Sequence, residues 1–388
     1  MSELDEAPAE TAEYDITPLL APLQVRGLRL RNRFVLPGMQ RWWCVEGAPD
    51  HRLRDYYRRR ALGGTGLVIS ESCGIDHPSA TKNPTFARMG SDTREAWRAC
   101  VDGVHEAGSA MFMQLWSQGA VNYGGDAESN PDFVALSPSG VSHPGGESFG
   151  RAATEAELRG IKDAFVQGAL DAGEIGADGV ELHAAHGFLL DQFLWSGTNL
   201  RTDRYGGPSI TDRATFVAEV TQAVRAATGP DFVISVRISQ WKESDYDAKV
   251  VEEPRELEQL VTMLRAAGAD IFHMSTRRFW TPEWDGSDLG LAGWAKSFTD
   301  APVIAVGSVG LDVDVMASLN GEASQSTGGR RIAELTRRFE RGDFDLVSVG
   351  RSQIGDPEWI AKMTGHRIGD IRAFCADDTY LGFDAAAT

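Results

Sequence analysis

Eight times along this chain a short apolar, β-branched run is followed by a longer stretch with helical periodicity, and no other feature restricts the fold as strongly. The strand-like runs are Phe34–Leu36, Gly66–Ser70, Ala110–Leu115, Gly179–Leu182, Phe232–Ile238, Ile271–Met274, Val303–Val306 and Leu346–Val349. The predicted helices are Asp50–Leu62, Asp92–Ala107, Glu155–Ile175, Ile210–Ala227, Pro254–Ala267, Leu291–Phe298, Arg330–Glu340 and Pro357–Lys362. Small-residue turns at 63–66, 176–179 and 267–270 carry helices into the next strand. Glycine there supplies the left-handed helix end and lets helix and strand pack closely. Strands alternating with helices build a parallel sheet. Eight such units favour closure into a (β/α)8 barrel over an open doubly wound sheet. An open dinucleotide-binding sheet also calls for G-x-G-x-x-G after an early strand, and none follows any strand here.

The expected fold is thus an α/β (β/α)8 TIM barrel over residues 15–365, with an acidic tail at 1–14 and a C-terminal extension at 366–388. The tail lacks the basic start and apolar stretch of a secretory leader, and its composition predicts a solvated, poorly ordered segment. The sequence offers no apolar run near the roughly 18 residues of a membrane span. A net charge of −18 disfavours nucleic acid and anionic membranes as partners. Cys44, Cys73, Cys100 and Cys375 form no CxxC pair, which argues against a zinc, an iron–sulfur cluster or a disulfide framework. A cytoplasmic location is the expectation. The segment 321–329 reads as a solvated connector in the seventh unit.

Three long loops follow predicted strands, at 116–150, 239–252 and 275–290, on the end of a barrel where active sites and lids are built. Barrel interiors are packed with apolar side chains, so polar residues at strand ends need a reason. Gln40 follows the first strand, Glu71 the second, and His183 and His186 the fourth, while Gln114 and Arg237 sit inside the third and fifth. Gly307 and Ser308 follow the seventh strand, and Gly350 and Arg351 the eighth. Small residues in those two loops suit a backbone cradle for phosphate, with Arg351 adding a charge, although either loop alone could be a plain turn. A flavin ring would satisfy Gln114 and Arg237; an internal salt bridge to Arg237 is the alternative. His183 and His186 can donate two hydrogen bonds to one oxygen and so polarise a carbonyl. A metal site is the competing reading, but no third ligand stands at metal-site spacing, and a purely structural pair is also open. The aromatics near the mouth include Trp42, Trp43, Trp116, Tyr123, Phe279, Trp280 and Trp284. Trp42, Trp116, Tyr123 and Trp280 are assigned to a bulky apolar substrate, with about half of such aromatics expected to serve packing alone.

The run from His183 through Gly187-Phe188-Leu189-Leu190-Asp191-Gln192-Phe193-Leu194, continued by Asn199, Arg201, Asp203, Tyr205, Gly206 and Gly207, resembles the signature of the Old Yellow Enzyme family. Further matches run from Asn32-Arg33 to Gly350-Arg351 and Asp356-Pro357-Glu358-Trp359, covering about residues 16–365. The resemblance implies an FMN across the barrel mouth, with NADPH or NADH as reductant. It implies that Pro37, Gly38, Met39 and Gln40 lie beside the flavin and that Gln114 and Arg237 contact its ring. Gly307, Ser308, Gly350 and Arg351 would hold its phosphate. His183 and His186 would bind the oxygen of an activated alkene, stabilising the enolate as hydride arrives at the β-carbon. Where the family usually has a proton-donating tyrosine this chain has Phe188, and where it usually has Thr or Cys on the first strand there is Gln40. After Gln114, Ser117 and Ala120 replace the family's frequent histidine and arginine. Protonation would then fall to water or to a loop donor such as Tyr123 or Tyr246. The expected activity is hydride transfer to a carbonyl-bearing small molecule. A desaturase running hydride the other way, and a non-redox lyase or silent flavin-binding module, are the alternatives. Substrate identity, nicotinamide preference and a homo-oligomeric state are left open by the sequence.

Overall fold

The computed structural model of the protein describes residues 14–122, 130, 132–313, 318 and 328–379. Eight parallel strands form the barrel: β1 (Phe34–Leu36), β2 (Leu67–Ile75), β3 (Ala110–Trp116), β4 (Gly179–His186), β5 (Val233–Lys242), β6 (Ile271–Ser275), β7 (Val303–Val306) and β8 (Leu346–Ser348). Each pairs with its successor, and β8 pairs with β1, so the ring closes. Around it run α1 (His51–Leu62), α2 (Arg94–Glu106), α3 (Glu155–Glu174), α4 (Thr215–Thr228), α5 (Pro254–Ala267), α6 (Leu291–Ser297), α7 (Gly328–Arg341) and α8 (Trp359–Thr364). Local sequence sets the helix ends. Thr154 and Glu157 form a reciprocal capping box at the start of α3, satisfying backbone N–H groups that a helix start leaves unpaired.

Five strands, β2 to β6, run further than their apolar cores predict, because parallel pairing carries the ladder on. The β4–β5 ladder continues through His183↔Arg237 and Ala184↔Ile238 to His186↔Lys242, with a register shift between Ala184 and His186. His183 and His186 therefore lie on a strand, not in the loop after it. The predicted helix at 210–227 is divided at Ala214 into Ile210–Arg213 and α4. Of the predicted tail only Tyr14 is among the described residues, where its hydroxyl donates to Met363 O. Tyr123 and most of the 321–329 connector fall outside them, and so do residues 380–388. No helix among the described residues is long and apolar enough to cross a membrane.

Side chains two apart on a strand share a face, and this period divides the barrel interior into levels. At the bottom, Val35, Leu67, Ile69, Ala110, Phe112, Val233, Ile271, Ile304 and Leu346 pack together. An antiparallel hairpin, Leu23–Val25 with Leu28–Leu30, covers them through Val25 and Leu30. Higher up four of the strands the side chains become polar: Gln114 on β3, Glu181 on β4, Ser235 on β5 and His273 on β6, all fully buried. Above these stand Trp116, His183, Arg237 and Ser275, which face a cavity. Phe112 belongs to the bottom level, away from the mouth. Phe112→Ala is expected to cost about 3–5 kcal/mol of stability, seen as a lower urea midpoint with an unchanged slope.

Candidate active site

The cavity at the barrel mouth holds about 550 Å³, within the range of cofactor and small-molecule sites. Beneath it lies the polar level. Gln114 Nε2 donates to Glu181 Oε1 at 2.8 Å, and Ser72 Oγ donates to Gln114 Oε1 at 2.7 Å. Ser235 Oγ donates to Glu181 Oε2 at 3.1 Å, and His273 Nδ1 lies 2.7 Å from the same oxygen. Burial opposes ionisation of Glu181, but His273, Arg237 and Gln114 outweigh it and hold the carboxyl down at about 2. Burial lowers His273 as well, so the lasting cation facing this anion is Arg237, which stays charged in any protein environment. Gln114 is thus spoken for by protein at both ends of its amide and is not among the cavity-lining residues, unlike the flavin-facing position that the sequence suggested.

Arg237 rises from this level into the cavity. Its Nη1 donates to Gly38 O at 3.4 Å and its Nη2 to Ser275 Oγ at 3.3 Å, while Nε finds no partner. His183 and His186 lie side by side with ring centroids 5.2 Å apart. His186 has a left-handed backbone (φ 66°), held where Ser239 Oγ accepts from its N–H at 2.8 Å, and its Nε2 lies 2.7 Å from Ser275 Oγ. Both ring nitrogens of His183 are buried without a partner. Burial, with Arg237 close by, pushes His183 down to about 3 and His186 well below the usual range, so both rings are neutral. Behind His186 a fully buried ion pair, Lys242 Nζ to Asp191 Oδ1 at 2.8 Å, ties β5 to the short helix Leu189–Leu194. Asp191 Oδ2 also accepts from Gly187 N at 2.6 Å, fixing the turn after the histidines.

At the opposite side the β7 and β8 loops meet. Gly307 (φ 150°) leaves no room for a side chain: a Cβ there would sit 2.8 Å from Thr276 O and 2.9 Å from Arg278 N. Ser308 is left-handed at φ 48°, its Oγ accepting from Arg351 Nη2 at 3.0 Å. Arg351 Nη1 donates to Ser318 Oγ at 2.5 Å. Gly350, Pro37 and Met39 line the cavity together, and a Cβ on Gly350 would lie 3.1 Å from Met39 Sδ. Gln40 also lines it, its Nε2 committed to Glu71 Oε1 at 3.1 Å while its buried Oε1 finds no partner.

The remaining wall is aromatic. Trp42 meets Phe86 at 4.8 Å, Phe86 stacks on Trp116 at 5.0 Å, and Trp116 meets Phe188 edge-on at 5.3 Å. Trp280 is not part of this wall. Its ring packs under the Arg331 guanidinium at 4.3 Å and against Phe279. Trp43 lies buried beneath Arg41, and Trp284 Nε1 donates to Glu252 O, so both are structural anchors. Tyr246 packs on Trp241 and is not among the lining residues. Sequence reasoning missed Phe86, Trp241, Glu243, Ser275, Arg277 and Phe374, all of which line the cavity. The polar-strand-end criterion applied elsewhere finds Ser275 once β6 is allowed its final residue. Phe86 and Phe374 carry no local signal. Phe374, in the described part of the predicted C-terminal extension, reaches the cavity.

Buried polar atoms left without partners on lining residues include His183 Nδ1 and Nε2, Arg237 Nε, Gln40 Oε1, Ser348 Oγ, Trp116 Nε1 and Trp241 Nε1, and they call for a ligand rich in both donors and acceptors. A flavin ring meets that demand, and the side-chain-free backbone at Gly307 and Gly350 suits its phosphate. Fold and site together define a TIM-barrel flavoenzyme. Residues 18–369 match the NADH:flavin oxidoreductase / NADH oxidase family. The chain is 30% identical over 376 residues to 12-oxophytodienoate reductase 7 of Oryza sativa subsp. japonica, covering 92% of this chain and 91% of that protein. It is 32% identical over 359 residues to an NADH oxidase of Thermoanaerobacter brockii, covering 90% of this chain but spanning only 51% of that relative. Morphinone reductase in complex with tetrahydroNAD superposes with a TM-score of 0.74 at 26% identity, over 93% of this chain and 94% of that one. The chain belongs to the NADH:flavin oxidoreductase / NADH oxidase family, the Old Yellow Enzyme family, and is an FMN-dependent oxidoreductase with a nicotinamide reductant.

The neutral histidines give the fold a pH dependence. The unfolded chain binds a proton on His183 below its ordinary value of 6.5, whereas the folded chain does so only near 3. Stability is therefore expected to fall as pH drops from 6.5 towards 3, by up to about 1.4 kcal/mol per pH unit for each such histidine. Urea midpoints measured across that range should decline less steeply for His183→Asn than for the native protein.

Proposed function

We propose that this protein reduces an activated carbon–carbon double bond conjugated to a carbonyl, with His183 and His186 holding the carbonyl oxygen. The observation that carries this reading is His183, whose two ring nitrogens are buried, neutral and unpartnered in the cavity that Arg237 shares. A neutral imidazole donates to an oxygen without paying out a full positive charge, and its hydrogen bond strengthens as negative charge develops there. Arg237 would lie against the flavin ring, and the backbone at Gly307, Ser308, Gly350 and Arg351 would hold the phosphate. Bound FMN would supply the hydride exchange, with nicotinamide on one side and with the β-carbon of the substrate on the other. The aromatic wall from Trp42 to Phe188 excludes water and selects a bulky, apolar body for the substrate.

Phe188 gives no proton, so another donor must reach the α-carbon. Glu243 is the carboxyl group among the lining residues. Its side chain is exposed at the cavity, yet enough protein surrounds it for desolvation to raise it to about 7. A group with that value is well matched to proton transfer at neutral pH, and Glu243 takes the donor's role in this reading.

The reading is tested by anaerobic visible spectroscopy: titration with NADPH and NADH, then addition of cyclohexenone. Bleaching of the flavin band followed by its return on adding enone is the expected result. A band that neither nicotinamide bleaches would overturn the reductive direction. His183→Ala is expected to keep its flavin and lose about 10²–10³-fold in kcat on the enone; full activity in that variant would remove the histidine from its assigned role. Gly307→Ala, by contrast, is expected to purify without flavin, because its Cβ would meet Thr276 and Arg278.

A further inference from the structure

Ser275 closes β6 and is buried at the junction of three cavity residues. Arg237 Nη2 lies 3.3 Å from its Oγ, and His186 Nε2 lies 2.7 Å from the same atom. We propose that Ser275 locks His186 as the Nδ1–H tautomer, so that His186 meets a cavity ligand as a fixed hydrogen-bond donor and Ser275 acts as its positioning residue.

The argument is one of donors and acceptors. A guanidinium carries only donors, so Arg237 must donate to Ser275 Oγ. The hydroxyl has one hydrogen of its own, and among the described residues its oxygen touches no polar atom other than those of Arg237 and His186. That hydrogen is therefore directed to His186 Nε2. The opposite arrangement, with Nε2 carrying the proton, would leave the serine hydrogen buried and unbonded among donors, a cost of about 1–3 kcal/mol. His186 is neutral, because burial and the surrounding Arg237, His183, Lys242 and His273 all disfavour its protonation. A neutral ring that accepts at Nε2 carries its proton on Nδ1.

Backbone geometry keeps the ring in place. His186 N–H donates to Ser239 Oγ, which donates in turn to Trp241 O at 2.7 Å, and His186 O accepts from Glu243 N at 3.2 Å. The imidazole lies against Trp241 with centroids 4.5 Å apart. Ser239 and Ser275 are themselves register partners across β5 and β6, so one rung of the barrel fixes both the backbone and the ring of His186. His183 has no such lock, since neither of its nitrogens is engaged. The pair is unequal: one histidine always donates, and the other can take either tautomer. A ligand atom at His186 must then carry a free lone pair, as a carbonyl oxygen does. The tautomer stands on the chain's own residues, whereas its use on a substrate carbonyl rests on the proposed function.

The test is a long-range ¹H–¹⁵N spectrum of the flavin-loaded protein labelled with ¹⁵N-histidine, recorded from pH 6 to pH 8, with His186 assigned from the signal lost in His186→Asn. The expected spectrum shows a protonated Nδ1 and an unprotonated Nε2 across the range. Ser275→Ala should lose this single-tautomer pattern and about tenfold in kcat on an enone, the effect of about one hydrogen bond. Ser275→Thr retains the hydroxyl and should restore both. A protonated Nε2 in the native protein, or an unchanged tautomer in Ser275→Ala, would overturn the lock. A tautomer that shifts in Ser275→Ala with no change in kcat would support the lock and overturn the use of His186 on the substrate.

Discussion

An anion buried at mid-height in the barrel is the constraint from which the rest of the site follows. Glu181 is fully buried, and protein meets each of its oxygens: Gln114 on one, Ser235 and His273 on the other. An unpaired carboxylate at such depth would cost several kcal/mol. The charge balance is completed through space by Arg237, one rung higher on the neighbouring strand. The result is a cation fixed at the base of the cavity and aimed upward. A guanidinium so placed suits an electron-rich ring lying over it, and it also keeps the adjacent histidines uncharged.

That coupling explains why two imidazoles can sit together without repelling each other. Neutrality is imposed first by burial and then by Arg237. The same neutrality makes them donors of ordinary hydrogen bonds and leaves their acceptor nitrogens to be occupied by something else. Ser275 occupies one. The buried Lys242–Asp191 pair serves a different end, holding the turn after His186 while its two charges cancel.

The barrel was legible because each strand core is short, apolar and bounded by small-residue turns, and Phe34–Leu36, Val303–Val306 and α5 fall where the pattern puts them. That the loops after β7 and β8 and the histidine pair line one cavity was legible because polar or glycine residues beside apolar strands have few structural uses. What the pattern concealed was the polar middle level. Glu181 and His273 lie inside runs that read as continuous core, and only closure of the ring brings β3, β4, β5 and β6 together there. Gln114 was recognised as anomalous, but its partners were not, so it was aimed at a ligand when its amide is held by Ser72 and Glu181. Trp280 was misplaced for a related reason: a loop's position fixes which end of the barrel it occupies, not which way its ring turns. Glu243 was hidden in a loop of similar acidic residues.

The cavity joins residues just after the first strand, such as Pro37, to Phe374, and the hydrogen bond from Arg41 to Asp378 O near that joint spans 337 positions. Contacts of such sequence separation form late, because their loop-closure entropy is met only after most of the chain is ordered. A ligand that needs both walls binds the closed ring and nothing before it. Retention of the cofactor is thereby a check on completed folding, since mass action stabilises only molecules in which β8 has found β1. Chains that stall with the ring open would hold no flavin, so flavin content per chain would count the ones that closed.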